Sequence, residues 1–283
     1  MYGNFCKENQ LSFHINSSIL SPDNTTLFCT SGMHHFKNQF SDLNFHDTFS
    51  NIQSCLRLND LDEIGDGTHY LVFHMLGLFS FRQWSLPHTI DFWMSFLESI
   101  NLLPHYVTIH PDKYHDWKSF YSNYKVDIKE DNECIWQDGQ IGGYCTEFYH
   151  NDVEIGNIVN TLGTCIDVGF GGERILNLKG LLPVSTKQEI LIETIESLLH
   201  DQVVLSNNQH GYILKKLLTL LIYSEGYFNH PYYDQLYHQQ KEKWKFYLNN
   251  FQKPKYLHKS PSWWLDTHGI NLDKKNMIQF FNL

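Results

Sequence analysis

The feature that most constrains this chain is a change of hydrophobic rhythm near residue 180. Before it, short apolar runs rich in aromatic and β-branched residues alternate with turn-forming residues. "TTLFCTSG", "HYLVFHMLGLFSF", "HYVTIHP" and "YCTEFYH" read as strands. Between them, "LPHTIDFWMSFLESINLL" repeats apolar residues every three or four positions and reads as an amphipathic helix. After "LLPVSTKQ" the spacing becomes helical throughout. "STKQEILIETIESLLHDQ" opens with a serine and places a glutamate in its first turn, a helix-start signature. "HGYILKKLLTLLIYSEG", ending at Gly226, and "YYDQLYHQQKEKWKFYLNNFQ" continue the helical pattern. Strands with helices irregularly interspersed predict an α+β domain over residues 1–180 with a mostly antiparallel sheet. A helical domain is expected over 181–283.

Bulk properties narrow the function. A chain of 283 residues with 42% hydrophobic and 15% aromatic content can bury a large core. A formal net charge of −10 gives no bulk attraction to nucleic acid or anionic membrane. No apolar run approaches the roughly 18 residues of a membrane span, and "MYGNFCKENQ" lacks the basic start and apolar stretch of a secretory signal. Cys6, Cys29, Cys55, Cys134, Cys145 and Cys165 are widely separated, without a CxxC pair. Reduced thiols in a cytoplasmic protein are therefore expected, and the histidines show no HExxH spacing. No metal-ligating residue is assigned.

The segment "GTCIDVGFGGERIL" at 163–176 mixes a carboxylate, three glycines and an arginine. It is neither a P-loop nor a GxGxxG fingerprint. One reading is a strand entering a helix through a glycine-rich turn, with Glu173 and Arg174 solvated. The other is a ligand wall, in which glycines admit a small molecule, Asp167 holds an ammonium and Arg174 a phosphate.

The rest of the chain favours the second reading. "DVGFGGERIL" resembles motif 3 of the alanyl-tRNA synthetase catalytic core, a class II aminoacyl-tRNA synthetase. "SSILSPDNTTLFCTSGMHHFK" resembles that family's first motif, and "CLRLNDLDEIG" with "HYLVFHMLGLFSF" its motif 2. "IWQDGQIGGYCTEFYHN" is similar to the segment holding Trp-x-x-Gly and Gly-Pro-Cys-x-Glu-Ile. "SNNQHGYILKKLL" and "WWLDTHGINLD" resemble later segments, in the family's order.

The resemblance implies ATP and Mg²⁺, with an amino-acid carboxylate attacking the α-phosphate to give an aminoacyl-adenylate. Under it Arg57 grips the α-phosphate and Arg174 faces the tail phosphates, where it also stacks on adenine. These two arginines are the catalytic candidates. Phe73 and Met75 frame the adenine. Trp136 and Asn157 line the amino-acid pocket, Asp167 takes the substrate amino group, and Gly169 leaves room for a small side chain. Glu147 and neighbouring carboxylates are candidates to hold Mg²⁺.

Departures from the family pattern matter as much. Only Leu58 separates Arg57 from Asn59, so the usual loop with its lysine is shortened. His74 replaces a glutamate. Asp138 replaces a methionine and offers a second polar contact to substrate. Gly156 replaces a tryptophan, which predicts a wider pocket, and the hairpin between Asn157 and Asp167 is short. The chain ends soon after "THGINLD", which reads as a truncated paralogue without the family's editing and C-terminal domains. The helix usually rich in arginine keeps only Lys215 and Lys216. Asn208, beside Gln209, and Asp266 fall in the segments that read an acceptor stem in the family.

Three functions follow as expectations. The first is activation of a small, alanine-like amino acid and its transfer to an acceptor other than tRNA, a carrier-protein thiol or a small amine. The second is a minimal alanyl-tRNA synthetase that charges tRNA. The third is a non-catalytic binding or regulatory protein on the same fold. A homodimer is left open, and no membrane partner is expected.

Overall fold

The computed structural model describes residues 1–22 and 25–283, which divide into two compact units, Met1–Thr186 and Lys187–Leu283. In the first unit the chain runs through α1 (Tyr2–Glu8), β1 (Ser12–Asn16), α2 (Lys37–Ser41), β2 (Asp47–Leu56), β3 (Val72–Phe81), α3 (Leu86–Ser99), β4 (Tyr106–Ile109) and α4 (Pro111–Trp117). It continues with β5 (Asp127–Glu130), β6 (Ile135–Asp138), β7 (Ile141–His150), β8 (Val153–Thr161), β9 (Cys165–Gly171) and α5 (Gly172–Leu178). The second unit contains α6 (Lys187–His200), α7 (Gln209–Tyr223), α8 (Pro231–Asn250), α9 (Pro261–His268) and α10 (Met277–Phe280).

Among the described residues nine strands form one sheet in the order β1-β2-β3-β9-β8-β7-β4-β5, with β6 paired to β7. The architecture is α+β, and the sheet is mostly antiparallel, as expected from sequence, with parallel pairs at its two edges. The six strands from β2 to β4 in that order run antiparallel. The edges β1 and β5 pair in parallel with β2 and β4. The connections explain this. Residues 17–46 separate β1 from β2, and α4 lies between β4 and β5, so each chain segment has the length needed for a crossover.

Strand alternation gives the sheet two unlike faces. One carries Leu76, Leu78, Phe148, Ile158, Ile166, Val168 and Phe170, packed with Trp93, Phe96 and Leu97 of α3 into the main core. Trp93 stacks on Phe170 with centroids 4.1 Å apart. α3 forms because its apolar positions recur at helical spacing, and Ser85 caps it by accepting from His88 N–H. The other face is polar at its centre and holds a smaller aromatic cluster around Phe49, Phe79 and Phe81 at one end.

One expected strand is missing. "TTLFCTSG" contributes only an isolated bridge between Leu20 and Phe28, followed by a 3₁₀ turn over Gly32–Phe36. Asp23 and Asn24 of the proposed first motif lie outside the described residues. In the second unit α7 buries Leu214, Leu217, Leu218, Leu221 and Ile222 on one side, as its periodicity requires. Tyr223 is its last residue. No described helix is long and apolar enough to cross a membrane.

Candidate active site

The polar sheet face is the floor of a cleft of about 560 Å³. Register alone assembles it. Gly77, Gly169, Asn157, Glu147 and Thr108 lie side by side across five strands. Phe79, Asp167, Val159 and Cys145 form the next row, and Cys145 N–H donates to the Cys134 carbonyl at 2.9 Å. Two glycines paired across β3 and β9, Gly77 and Gly169, keep the middle of the floor low. Gly169 is crowded, because a Cβ there would lie 2.8 Å from Met75 Sδ. Gly77 is likewise crowded, with Asn51 Oδ1 2.2 Å from the position of a Cβ.

Eight of the residues singled out from sequence border this one cleft: Arg57, Phe73, Met75, Trp136, Asn157, Asp167, Gly169 and Arg174. Arg57 follows β2 directly. Its Nε donates to the Thr30 carbonyl at 2.9 Å, and its guanidinium lies 5.1 Å from the Phe73 ring centroid. Arg174 opens α5 just past β9. Its Nη1 donates to the Glu154 carbonyl at 2.9 Å and pairs with Glu154 Oε2 at 3.1 Å. Both cations are thus held by backbone oxygens and partners before any ligand arrives, which lowers the ordering cost of binding an anion.

Asp167 is the electrostatic centre. It is 8% exposed, and among the described residues no donor reaches its carboxylate. Burial, reinforced by the negative charge of Asp138, pushes its pKa up to about 7. A buried carboxylate with no partner is costly unless a cation from outside completes it. Trp136 packs over Cys134, Cys145 and Val159 beside it.

Two sequence expectations are corrected. Asp138 does not border the cleft. Its carboxylate pairs with Lys37 Nζ at 2.9 Å, so it acts on Asp167 through its charge. Gly156 borders the cleft with its backbone, but a side chain there would not face it. Strand parity turns its Cα toward the core face, where a Cβ would lie 2.4 Å from Phe170 Cγ, so the space belongs to the Trp93–Phe170 stack. Asp266 lies in the last turn of α9, whose N-cap is Ser260. Asp266 and Asn208 are exposed in the second unit, and Asn208 precedes α7 without a side-chain capping bond.

Three functional-site features were not legible in the sequence. His74 is bound to Glu173 twice, through its ring Nδ1 to Oε1 at 2.7 Å and its backbone N–H to Oε2 at 2.8 Å. Glu154 holds Arg174, yet nothing in its local sequence marks it. Cys134 and Cys145 are eleven positions apart and become neighbours only through the β6–β7 pairing.

The sheet is mixed with a long antiparallel centre, and its open face carries two clamped arginines and a buried carboxylate. Residues 2–158 match the family model for tRNA synthetases class II (A), and the chain belongs to that family. The alanine–tRNA ligase of Buchnera aphidicola subsp. Baizongia pistaciae is 27% identical over 292 residues, covering 72% of this chain and 33% of the relative. That of Buchnera aphidicola subsp. Schizaphis graminum is 26% identical over 301 residues, covering 76% and 34%. This chain therefore spans about a third of the length of those relatives. The S. aureus apo histidyl-tRNA synthetase covers 70% of this chain and 74% of its own, at 12% identity and a TM-score of 0.42, a distant likeness only.

Proposed function

We propose that this protein activates a small, alanine-like amino acid with ATP, forming an aminoacyl-adenylate and pyrophosphate. The observation that carries the reading is Asp167, a buried carboxylate without a donor, in one cleft with Arg57 and Arg174. In this reading the substrate ammonium pairs with Asp167, which fixes the substrate carboxylate toward the α-phosphate. Arg57 meets the α-phosphate and Arg174 the tail phosphates, with Phe73 and Met75 against the adenine. Negative charge grows on phosphate oxygens in the transition state, and preorganised guanidinium groups stabilise it. Asn157 and Trp136 close the amino-acid end, where Met75 leaning over Gly169 limits the side chain to a small one.

The chemistry of the lining carboxylates accommodates Mg²⁺, which supplies charge neutralisation on the phosphates when bound. Glu154 is paired with Arg174 and Glu173 with His74. Glu147, the candidate from sequence, also borders the cleft but is held by Tyr149 and Thr108, which leaves Asp60 as the carboxylate that would hold the ion.

For the acceptor we infer a carrier-protein thiol or small amine in preference to tRNA. The formal net charge of −10 and the tie of Lys215 Nζ to Asn207 Oδ1 at 2.8 Å leave α7 with little to offer a phosphate backbone. The relatives' own name supports charging of tRNA as the second reading, with Asn208 and Asp266 facing the acceptor stem. Pyrophosphate exchange across the standard amino acids tests activation, and transfer of labelled amino acid to tRNA or to a thiol carrier separates the acceptors. Exchange with small amino acids is expected. Absence of exchange with every amino acid overturns the reading in favour of a non-catalytic binding protein.

A further inference from the structure

Where β4, β7 and β6 adjoin, three ligand-type side chains converge beside the cleft. The Sγ atoms of Cys134 and Cys145 and a carboxylate oxygen of Glu147 all lie within 4.8 Å of one another. Both cysteines are essentially inaccessible, at 0% and 1% exposure. The carboxylate is aimed. Tyr149 donates its hydroxyl to Oε2 at 2.8 Å, and the Thr108 hydroxyl lies 3.5 Å from the same oxygen and 3.0 Å from Cys134 Sγ. That leaves Oε1 turned toward Cys145 Sγ, 3.9 Å away. The other four cysteines belong to no such cluster among the described residues.

We propose that Cys134, Cys145 and Glu147 form a Zn²⁺ site. Two thiolates and a carboxylate are a ligand set suited to this borderline-soft ion. Tetrahedral zinc, with bonds of about 2.3 Å to sulfur and about 2.0 Å to oxygen, spaces its ligand atoms about 3.5–3.8 Å apart. The ligand atoms lie within 4.8 Å of one another, so the cluster reaches that spacing by a contraction of about 1.3 Å at most. Tyr149 and Thr108 orient the carboxylate in the way that outer hydrogen bonds fix metal ligands. On binding, each thiol loses its proton to solvent, two Zn–S bonds and one Zn–O bond form, and no electron is transferred. Glu147 borders the cleft, so the fourth position is left for water on that side. The proposal does not rest on amino-acid activation, although Glu147 and Trp136 also border the cleft. The site's structural consequence is to fix Trp136, which packs on both cysteines.

The test uses the full chain, reduced and freed of metal by chelating resin. Co²⁺ is titrated as a spectroscopic stand-in for Zn²⁺, and retained zinc is measured by mass spectrometry after reloading. The expected result is a single equivalent of Co²⁺ with thiolate charge-transfer and tetrahedral visible bands, displaced by Zn²⁺. The paired change Cys134→Ser with Cys145→Ser abolishes uptake while far-ultraviolet dichroism matches wild type, and Cys6→Ser retains it. Wild-type protein that shows no thiolate–Co²⁺ absorption overturns the proposal, whether or not the double variant folds. So does a folded double variant that binds the ion as wild type does.

Discussion

Arg174 and Glu154 face each other across the mouth of the cleft, joined by a 3.1 Å ion pair and a 2.9 Å bond from the same guanidinium to the Glu154 carbonyl. Glu154 thereby sets where the motif 3 arginine waits. Glu154→Gln keeps the backbone contact and should lower the exchange rate modestly, whereas Glu154→Ala should lower it by on the order of tenfold to 10²-fold, the cost of a misplaced catalytic group. Steady-state exchange at saturating alanine and ATP measures this. A Glu154→Ala rate equal to wild type would show that Arg174 is placed by other contacts.

Arg57 has a different support, a backbone carbonyl and an aromatic face. Arg57→Ala and Arg174→Ala should each lose roughly 2–4 kcal/mol of transition-state stabilisation, the range for removing one preorganised donor. Arg57→Lys should recover little, because a point charge lacks the planar fork that stacks on Phe73 and binds phosphate bidentately. Rates of exchange for the three variants decide it, and full activity in Arg57→Ala would remove Arg57 from the reaction.

Much of this site was readable before the structure, and the reason is local. Asp167, Gly169 and Arg174 sit within eight consecutive residues, so strand alternation and one turn place them together. Arg57, Phe73 and Met75 were carried by motif resemblance. The helices of the second unit were legible because their apolar residues keep one period over several turns. β2 was not, since "DTFSNIQSCL" places Asn51 and Gln53 at buried positions of the cleft face and breaks the usual apolar alternation. Asp138 and Gly156 were misread for one reason. Whether a strand residue faces cleft or core, and which cation answers it, depends on register and on Lys37 a hundred residues away.

Gly156 gives a test of that correction. A Cβ at this position meets Phe170 Cγ at 2.4 Å and the Gly169 carbonyl at 2.6 Å. Gly156→Ala should destabilise the protein by roughly 1–3 kcal/mol, as overpacking does, with little change in the half-saturating amino-acid concentration. Thermal denaturation and exchange kinetics on the same preparation separate the two effects. A tightened amino-acid preference without loss of stability would show that a side chain at position 156 faces the amino-acid pocket.

Asp167 also predicts a pH dependence of stability. Its carboxyl has a pKa of about 7 in the fold against 3.8 for the free group. The folded state therefore binds the extra proton between those values, and stability falls as pH rises through that window, by about 4 kcal/mol in the order-of-magnitude sense. Asp167→Asn removes the ionisable group, so the variant should be more stable than wild type at pH 8 and close to it at pH 4. Chemical denaturation at both pH values checks this. A variant less stable than wild type at pH 8 would mean that the carboxylate already has a cation in the free protein.

The most direct test of the proposed function is pyrophosphate exchange against amino-acid concentration, for wild type and Asp167→Asn, at several pH values. The account predicts that Asp167→Asn keeps the ATP requirement of wild type and raises the half-saturating amino-acid concentration by tenfold or more, the effect of losing a charged hydrogen bond of about 1.5–3 kcal/mol. In wild type that concentration should climb as pH falls below about 7, where Asp167 takes up its proton, and the variant should show no such climb. Equal half-saturation in both proteins at pH 8 would contradict the assignment of Asp167 to the substrate ammonium.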